Sequence, residues 1–160
     1  MSGNQRRACL GPYHQMGISS TQRRHERYLC LYLWKMLEEM VANNGAVEAQ
    51  WGNRGRLVKI PKSQGSQATR TLRDSSFTVR AGRIFNVLPR NIRDYRREGT
   101  TLAGFKMLLD CFLELVPDQP RDIRGGWLPA AMDQVTGMNP NSLLHWAIHL
   151  RKTNPEYQWR

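Results

Sequence analysis

Acidic residues are scarce where this chain is most charged. Between Arg54 and Arg97 there are twelve lysines and arginines against two carboxylates, Asp74 and Asp94, a local net of +10. The whole chain carries a formal +11, whereas residues 101–160 balance six cations with six acids. The shortage has two consequences. A solvated face whose arginines pair with neighbouring Glu or Asp cannot absorb all of these cations, so an anionic partner is favoured. The carboxylates that hold divalent metal in phosphoryl-transfer sites are also missing. No Asp-Asp pair, GxSxG, P-loop or cysteine with an evident histidine partner occurs. No catalytic residue, metal ligand or cofactor is therefore assigned.

Cysteine is sparse too. Cys9, Cys30 and Cys111 are odd in number, widely spaced and free of any CxxC, which argues against a disulfide scaffold or a cysteine-rich zinc site. Long apolar runs are lacking: YLCLYLW is far shorter than the roughly 20 residues a spanning helix needs. No apolar stretch follows the first arginines, as a secretory signal would require, and no strongly amphipathic helix in the basic region could insert into a bilayer. An intracellular protein of nucleus or cytoplasm is expected, not secreted and without a membrane partner.

What the chain does contain is enough for one modest core: 160 residues, 40% of them hydrophobic, with five Trp and seven Met. Residues 1–19 are broken by Gly3, Gly11, Pro12 and Gly17 and form an irregular lead-in. Residues 20–117 form the domain, and 118–160 a linker rich in Pro, Gly and Asn ending in a short helix over SLLHWAIHLRK. A first long helix, capped by Ser20 or Thr21, carries a wide apolar face and stops at Asn43-Asn44-Gly45. A second, TTLAGFKMLLDCFLELVPD, is capped by Thr100 or Thr101 and barred by Pro117. Between them, 46–55 is expected as a loop, and RLVKIP (56–61) and SSFTVR (75–80) as the strands of a small ribbon. The fold class is α+β, mostly α: two long helices packed with a short two-stranded β-ribbon, and irregular termini.

The segment GRIFNVLPRNIRDYRR (82–97) joins an apolar half to a basic half. Ile84, Phe85, Val87 and Leu88 should anchor a turn at 82–89 against the long helices, with Asn86 satisfying local backbone groups. Pro89 suits the first turn of a short helix, placing Arg90, Arg93 and Arg97 on one outward face with Arg96 close by. Arg54, Arg56, Lys59 and Lys62 accompany the first strand, and Arg70, Arg73, Arg80 and Arg83 surround the second. Guanidinium groups give bidentate phosphate contacts, and counterion release drives their affinity. The candidate RNA- or DNA-backbone contacts are Arg54, Arg56, Lys59, Arg70, Arg73, Arg90, Arg93, Arg96 and Arg97. His145 and His149 have a zinc-compatible spacing, but Trp146 stands where HExxH places its glutamate, so two surface histidines flanking a core-facing Trp are expected. Asp110 and Glu114 are expected on the exposed edge of an amphipathic helix.

RRHERYLCLYLWKMLE (23–38), RGRLVKIP, ATRTLRDSSFTVRAGRIFNVLPRNIRD and FKMLLDCFLELVPDQP together resemble the C-terminal part of jockey-type non-LTR retrotransposon reverse transcriptases. The most specific element is Phe85-Asn86-x-Leu88-Pro89-x-x-Ile92-Arg93, followed by Phe105-Lys106-x-x-Leu109. The resemblance spans about residues 20–125. It implies a thumb-like region that follows the palm of an RNA-directed DNA polymerase and helps hold template and primer. The family's aromatic-x-Asp-Asp metal block is absent from this sequence, as are fingers and endonuclease. A truncated, non-catalytic nucleic-acid-binding remnant is the expectation. The alternative is a structural or self-association module, in which Trp34, Phe105 and Phe112 form an exposed apolar face that would once have packed on the palm.

Overall fold

In the computed structural model, residues 12–62, 65–66, 76–96, 101–118, 141–154 and 159 are described. A single helical turn, α1 (Pro12–Gln15), lies within the expected lead-in. It is fixed by His14, whose Nε2 donates to Val116 O at 2.7 Å. The first long helix, α2 (Thr21–Leu37), starts where a hydroxyl can cap it: Ser20 Oγ accepts from Arg23 N at 3.1 Å. It ends before the expected Asn-Asn-Gly stop. Glu39 adopts a left-handed φ of 56°, Glu39 N donates to Met36 O, and Met40 N donates to Lys35 O at 2.8 Å. This is the paired closure of a Schellman motif. Asn43–Gly45 instead make a separate turn, in which Asn43 brackets Val47 with bonds to both its N–H and its C=O.

The ribbon exists, but its partner strand is not the expected one. β2 (Gly55–Val58) pairs antiparallel with β1 (Ala49–Gly52) in the register Trp51↔Arg56 and Gly52↔Gly55. β1 thus lies within the stretch expected as a loop. Asn53-Arg54 connect the strands without a positive φ, and Gly55 at φ +78° supplies the left-handed residue that follows such a turn. Of SSFTVR, whose Ser75 lies outside the described residues, Phe77–Arg80 open α3 (Phe77–Val87), with Ser76 as its cap. Phe-Thr-Val has strand propensity, yet the apolar positions Phe77, Ala81, Ile84, Phe85 and Leu88 keep a helical period onto the core, and burial overrides propensity. The expected turn at 82–89 is accordingly the second half of this helix, closed at Leu88. Pro89 then caps α4 (Arg90–Arg93).

The second long helix, α5 (Leu102–Leu113), is capped by Thr101 and packs beside α2. Trp34 stacks on Phe105 with ring centroids 4.7 Å apart at 11°, Trp34 Nε1 donates to Tyr95 O, and Arg27 grips Asp110 with two bonds. Helix α6 (Leu143–Thr153) buries Leu143, Ala147 and Leu150 and lies against α3. The fold is α+β and mostly helical, with one two-stranded antiparallel ribbon among the described residues. Trp34, Phe105 and Phe112 do not form an exposed apolar face: all three are interior, Trp34 stacked on Phe105 and Phe112 edge-on to Trp159.

A buried polar knot joins the start of α2 to the start of α6. Asp118 accepts from Ser20 N, Ser20 Oγ and Asn141 Nδ2 at 2.7, 2.6 and 3.0 Å. Arg23 Nη2 donates to Pro117 O and Asn141 O, and Glu26 Oε2 accepts from Leu143 N at 2.8 Å, in the first turn of α6. Burial works against the Asp118 charge, but these donors and Arg23 hold its carboxyl below the usual range. Burial pushes Glu26 up to about 7, with Arg23 and the Leu143 amide only partly restoring the charged form. Glu26 therefore holds its proton more tightly folded than unfolded. Its stabilising contribution is complete below the unfolded carboxylate pKa and is lost as pH rises through about 7. Urea unfolding should show wild type losing roughly 2–3 kcal/mol relative to Glu26→Gln between pH 4.5 and pH 8. A difference that does not change with pH would contradict the assignment.

Candidate nucleic-acid interface

A two-stranded ribbon is marginal on its own and offers its outer edge for unwanted pairing. Here side chains from residues 86–94 occupy that edge. Asn86 Oδ1 accepts from Val58 N at 2.8 Å while its Nδ2 donates to Val58 O at 3.0 Å. Asp94 Oδ1 accepts from Arg56 N at 2.7 Å, and Arg93 Nη1 donates to Arg56 O at 2.8 Å. The three side chains satisfy the backbone groups that a third strand would take. Asn86 does serve backbone, as its sequence context suggests, but the backbone is β2 rather than its own turn.

Arg93 goes further. Its Nε donates to Leu88 O, Nη1 also reaches Arg54 O, and Nη2 donates to Trp159 O at 2.6 Å. The residue is 1% exposed. Burial lowers its proton affinity; Asp94 opposes this, and the positive Arg151, Arg54 and Arg90 add to it. Arg56 is also buried, held by Glu38 at 2.5 Å and by Tyr95 O. Two of the arginines expected to meet phosphate therefore face inward. A helical period identifies residues that share a face but not which face meets solvent, and α4 turns its Arg93 side onto the ribbon.

The other candidates divide. Arg54 is exposed at the hairpin tip. Arg90 is half-buried, its Nε on Asp94 Oδ2 at 2.9 Å and its Nη1 near Asn53 O. Arg96 is exposed, its guanidinium 4.6 Å from the centre of the Trp51 ring. Lys59 is exposed and bonds Glu48 at 2.6 Å, a surface pair of little net worth. Arg70, Arg73 and Arg97 lie outside the described residues. Two contributors escape sequence reasoning. Arg151 comes in from α6, where Nη2 donates to Asn86 O at 3.1 Å; nothing local in α6 signals its approach to a residue 65 positions away. Trp51 is 49% exposed and sits in a stretch without strand signature, expected as a loop.

The electrostatic result is a knot of like charge. Arg54, Arg90 and Arg151 lie around Arg93, and after burial they lower its proton affinity, with Asp94 as the opposing carboxylate. Elsewhere most of the described acids are engaged: Glu38 with Arg56, Glu48 with Lys59, Asp110 with Arg27, and Glu26 and Asp118 inside the buried knot.

Among the described residues no three His, Cys, Asp or Glu side chains converge as metal ligands. His145 and His149 place their rings edge-on to Trp146, which packs partly against the core. Asp110 is bound to Arg27, and Glu114 is exposed. No described helix is long and apolar enough to cross a membrane. No protein-family model, curated protein or solved structure matches this chain.

The division between inward and outward arginines is measurable. Arg93→Lys keeps the charge but loses the guanidinium fork, and should destabilise the fold by about 2–4 kcal/mol in chemical denaturation. Arg54→Ala should stay within about 0.5 kcal/mol of wild type. Equal, small effects from both would refute the division.

Proposed function

We propose that this chain is a non-catalytic nucleic-acid-binding module, derived from the post-palm region of a non-LTR retrotransposon RNA-directed DNA polymerase. It contacts the RNA or DNA backbone through the basic surface around the hairpin tip. The observation that carries the reading is the convergence of Arg54, Arg90 and Arg151 around Arg93 from three parts of the chain: Arg93 bonds Arg54 O, Arg90 reaches Asn53 O and Arg151 bonds Asn86 O. Like charges repel, and a fold that gathers them gains by meeting an anion. Asp94 bonds Arg90, and the cations gathered around it outnumber it, so the local field is positive. The sequence resemblance over residues 20–125 supports the same partner class, since a thumb-like region lies along template and primer.

Arg93 and Arg56 serve in this reading as scaffold that aims the outer arginines. Phosphate contacts of this kind carry little base information, so affinity should depend weakly on sequence. The self-association alternative loses its named surface, because Trp34, Phe105 and Phe112 are interior.

The test is binding of labelled RNA and DNA oligonucleotides across a salt series. Affinity should fall steeply with salt. Replacing Arg54, Arg90 and Arg96 together by Gln should reduce the slope of log affinity against log salt by about 2–3. Binding insensitive to both salt and the triple change, or no binding, would overturn the proposal.

A further inference from the structure

Trp51 is the large aromatic side chain that the core of the ribbon leaves out. It stands on β1 directly across from Arg56, so the two side chains share one face of the ribbon. The Arg56 guanidinium lies 5.6 Å from the indole centre and that of Arg96 4.6 Å. Contact with these cations orients the ring and accounts for part of its surface. The remainder, 49%, is open to solvent. Arg54 occupies the hairpin tip three residues on. An oriented, half-open indole rimmed by guanidinium groups pairs a flat apolar face with phosphate-binding charge.

We infer that Trp51 is a base-stacking platform and that the ligand class of this surface is single-stranded nucleic acid. The inference rests on the nucleic-acid reading above and narrows it. A free base presents a π-face to the open part of the indole, while Arg96, against the same ring, takes a flanking phosphate. In a duplex both faces of each base are already stacked, so Trp51 has nothing to hold there. A protein partner is the competing occupant, since Trp and Arg are also enriched at protein interfaces; the excess of positive charge in this part of the chain favours the polyanion, and sedimentation separates the two.

The experiment uses the full chain with fluorescently labelled 12-nucleotide RNA and DNA, each single-stranded and as a duplex of the same sequence, at one fixed salt concentration. The single strands should bind more tightly than the duplexes. Trp51→Ala should weaken single-strand binding roughly tenfold while changing duplex binding less than about twofold. Trp51→Tyr should retain most of the single-strand affinity, because a smaller ring still stacks. Thermal melts of both variants separate loss of fold from loss of stacking: a binding defect in a Trp51→Ala protein that melts like wild type supports the platform. Equal losses on single strands and duplexes, no loss at all, or failure of Trp51→Tyr to restore binding would overturn it. So would a sedimentation shift in Trp51→Ala from dimer to monomer, which would assign the ring to a protein interface. Absence of any nucleic-acid binding by wild type would instead overturn the broader proposal.

Discussion

Arg93 holds a full charge away from water with backbone carbonyls as its hydrogen-bond partners: Leu88, Arg54, Arg56 and Trp159. Burying a guanidinium is expensive unless its fork is filled, and here the donors are matched to oxygens that would otherwise be orphaned at the end of α3, at the hairpin and along β2. The consequences run outward from that match. With Asn86 and Asp94 it supplies the missing third strand of a ribbon too small to stand alone. The closed edge lets β2 lie against α3, α3 covers the face of α2, and α2 stacks Trp34 on Phe105. One side chain therefore ties the ribbon, the short helix α4 and Trp159 into a single packed unit.

That arrangement decides what remains for function. The carboxylates of the described chain are mostly spent holding the fold: Glu38 neutralises buried Arg56, Asp94 bonds β2 and Arg90, Asp110 links α5 to α2, and Asp118 and Glu26 tie α6 to α2. The positive surface at the hairpin tip is thus the complement of a core that uses its acids internally. Trp51 lies on the same ribbon, its ring against the guanidinium groups of Arg56 and Arg96, and the proposed contact with a single strand rests on that arrangement.

Part of this was legible in the sequence and part was not. The two long helices were readable because their apolar period runs for several turns and because Ser20 and Thr101 cap by local chemistry. The inward role of Ile84, Phe85 and Leu88 was readable from apolarity alone. The strand partner was not: Ala49–Gly52 carries no β-branched residue, and SSFTVR carries two, so local preference pointed the wrong way and packing decided. The fate of the arginines was hidden for a different reason. Arg93 and Arg96 are the same residue type three positions apart, and only the placement of the ribbon against α4 sends one inward and leaves the other on the surface. Asn86 was recognised as a backbone partner, but a contact to Val58, 28 residues away, depends on tertiary structure that local spacing does not encode.

The central claim is that side chains complete the ribbon in place of a strand. Amide hydrogen exchange at Arg56 and Val58 tests it most directly, because their N–H groups face the outer edge and have Asp94 and Asn86 side chains as acceptors. The account predicts that both amides are protected to nearly the same free energy as the buried turns of α2 and α3, and that Arg93→Lys and Asn86→Ala lower this protection. Exchange at the rate of an exposed edge strand, unaffected by either change, would contradict it.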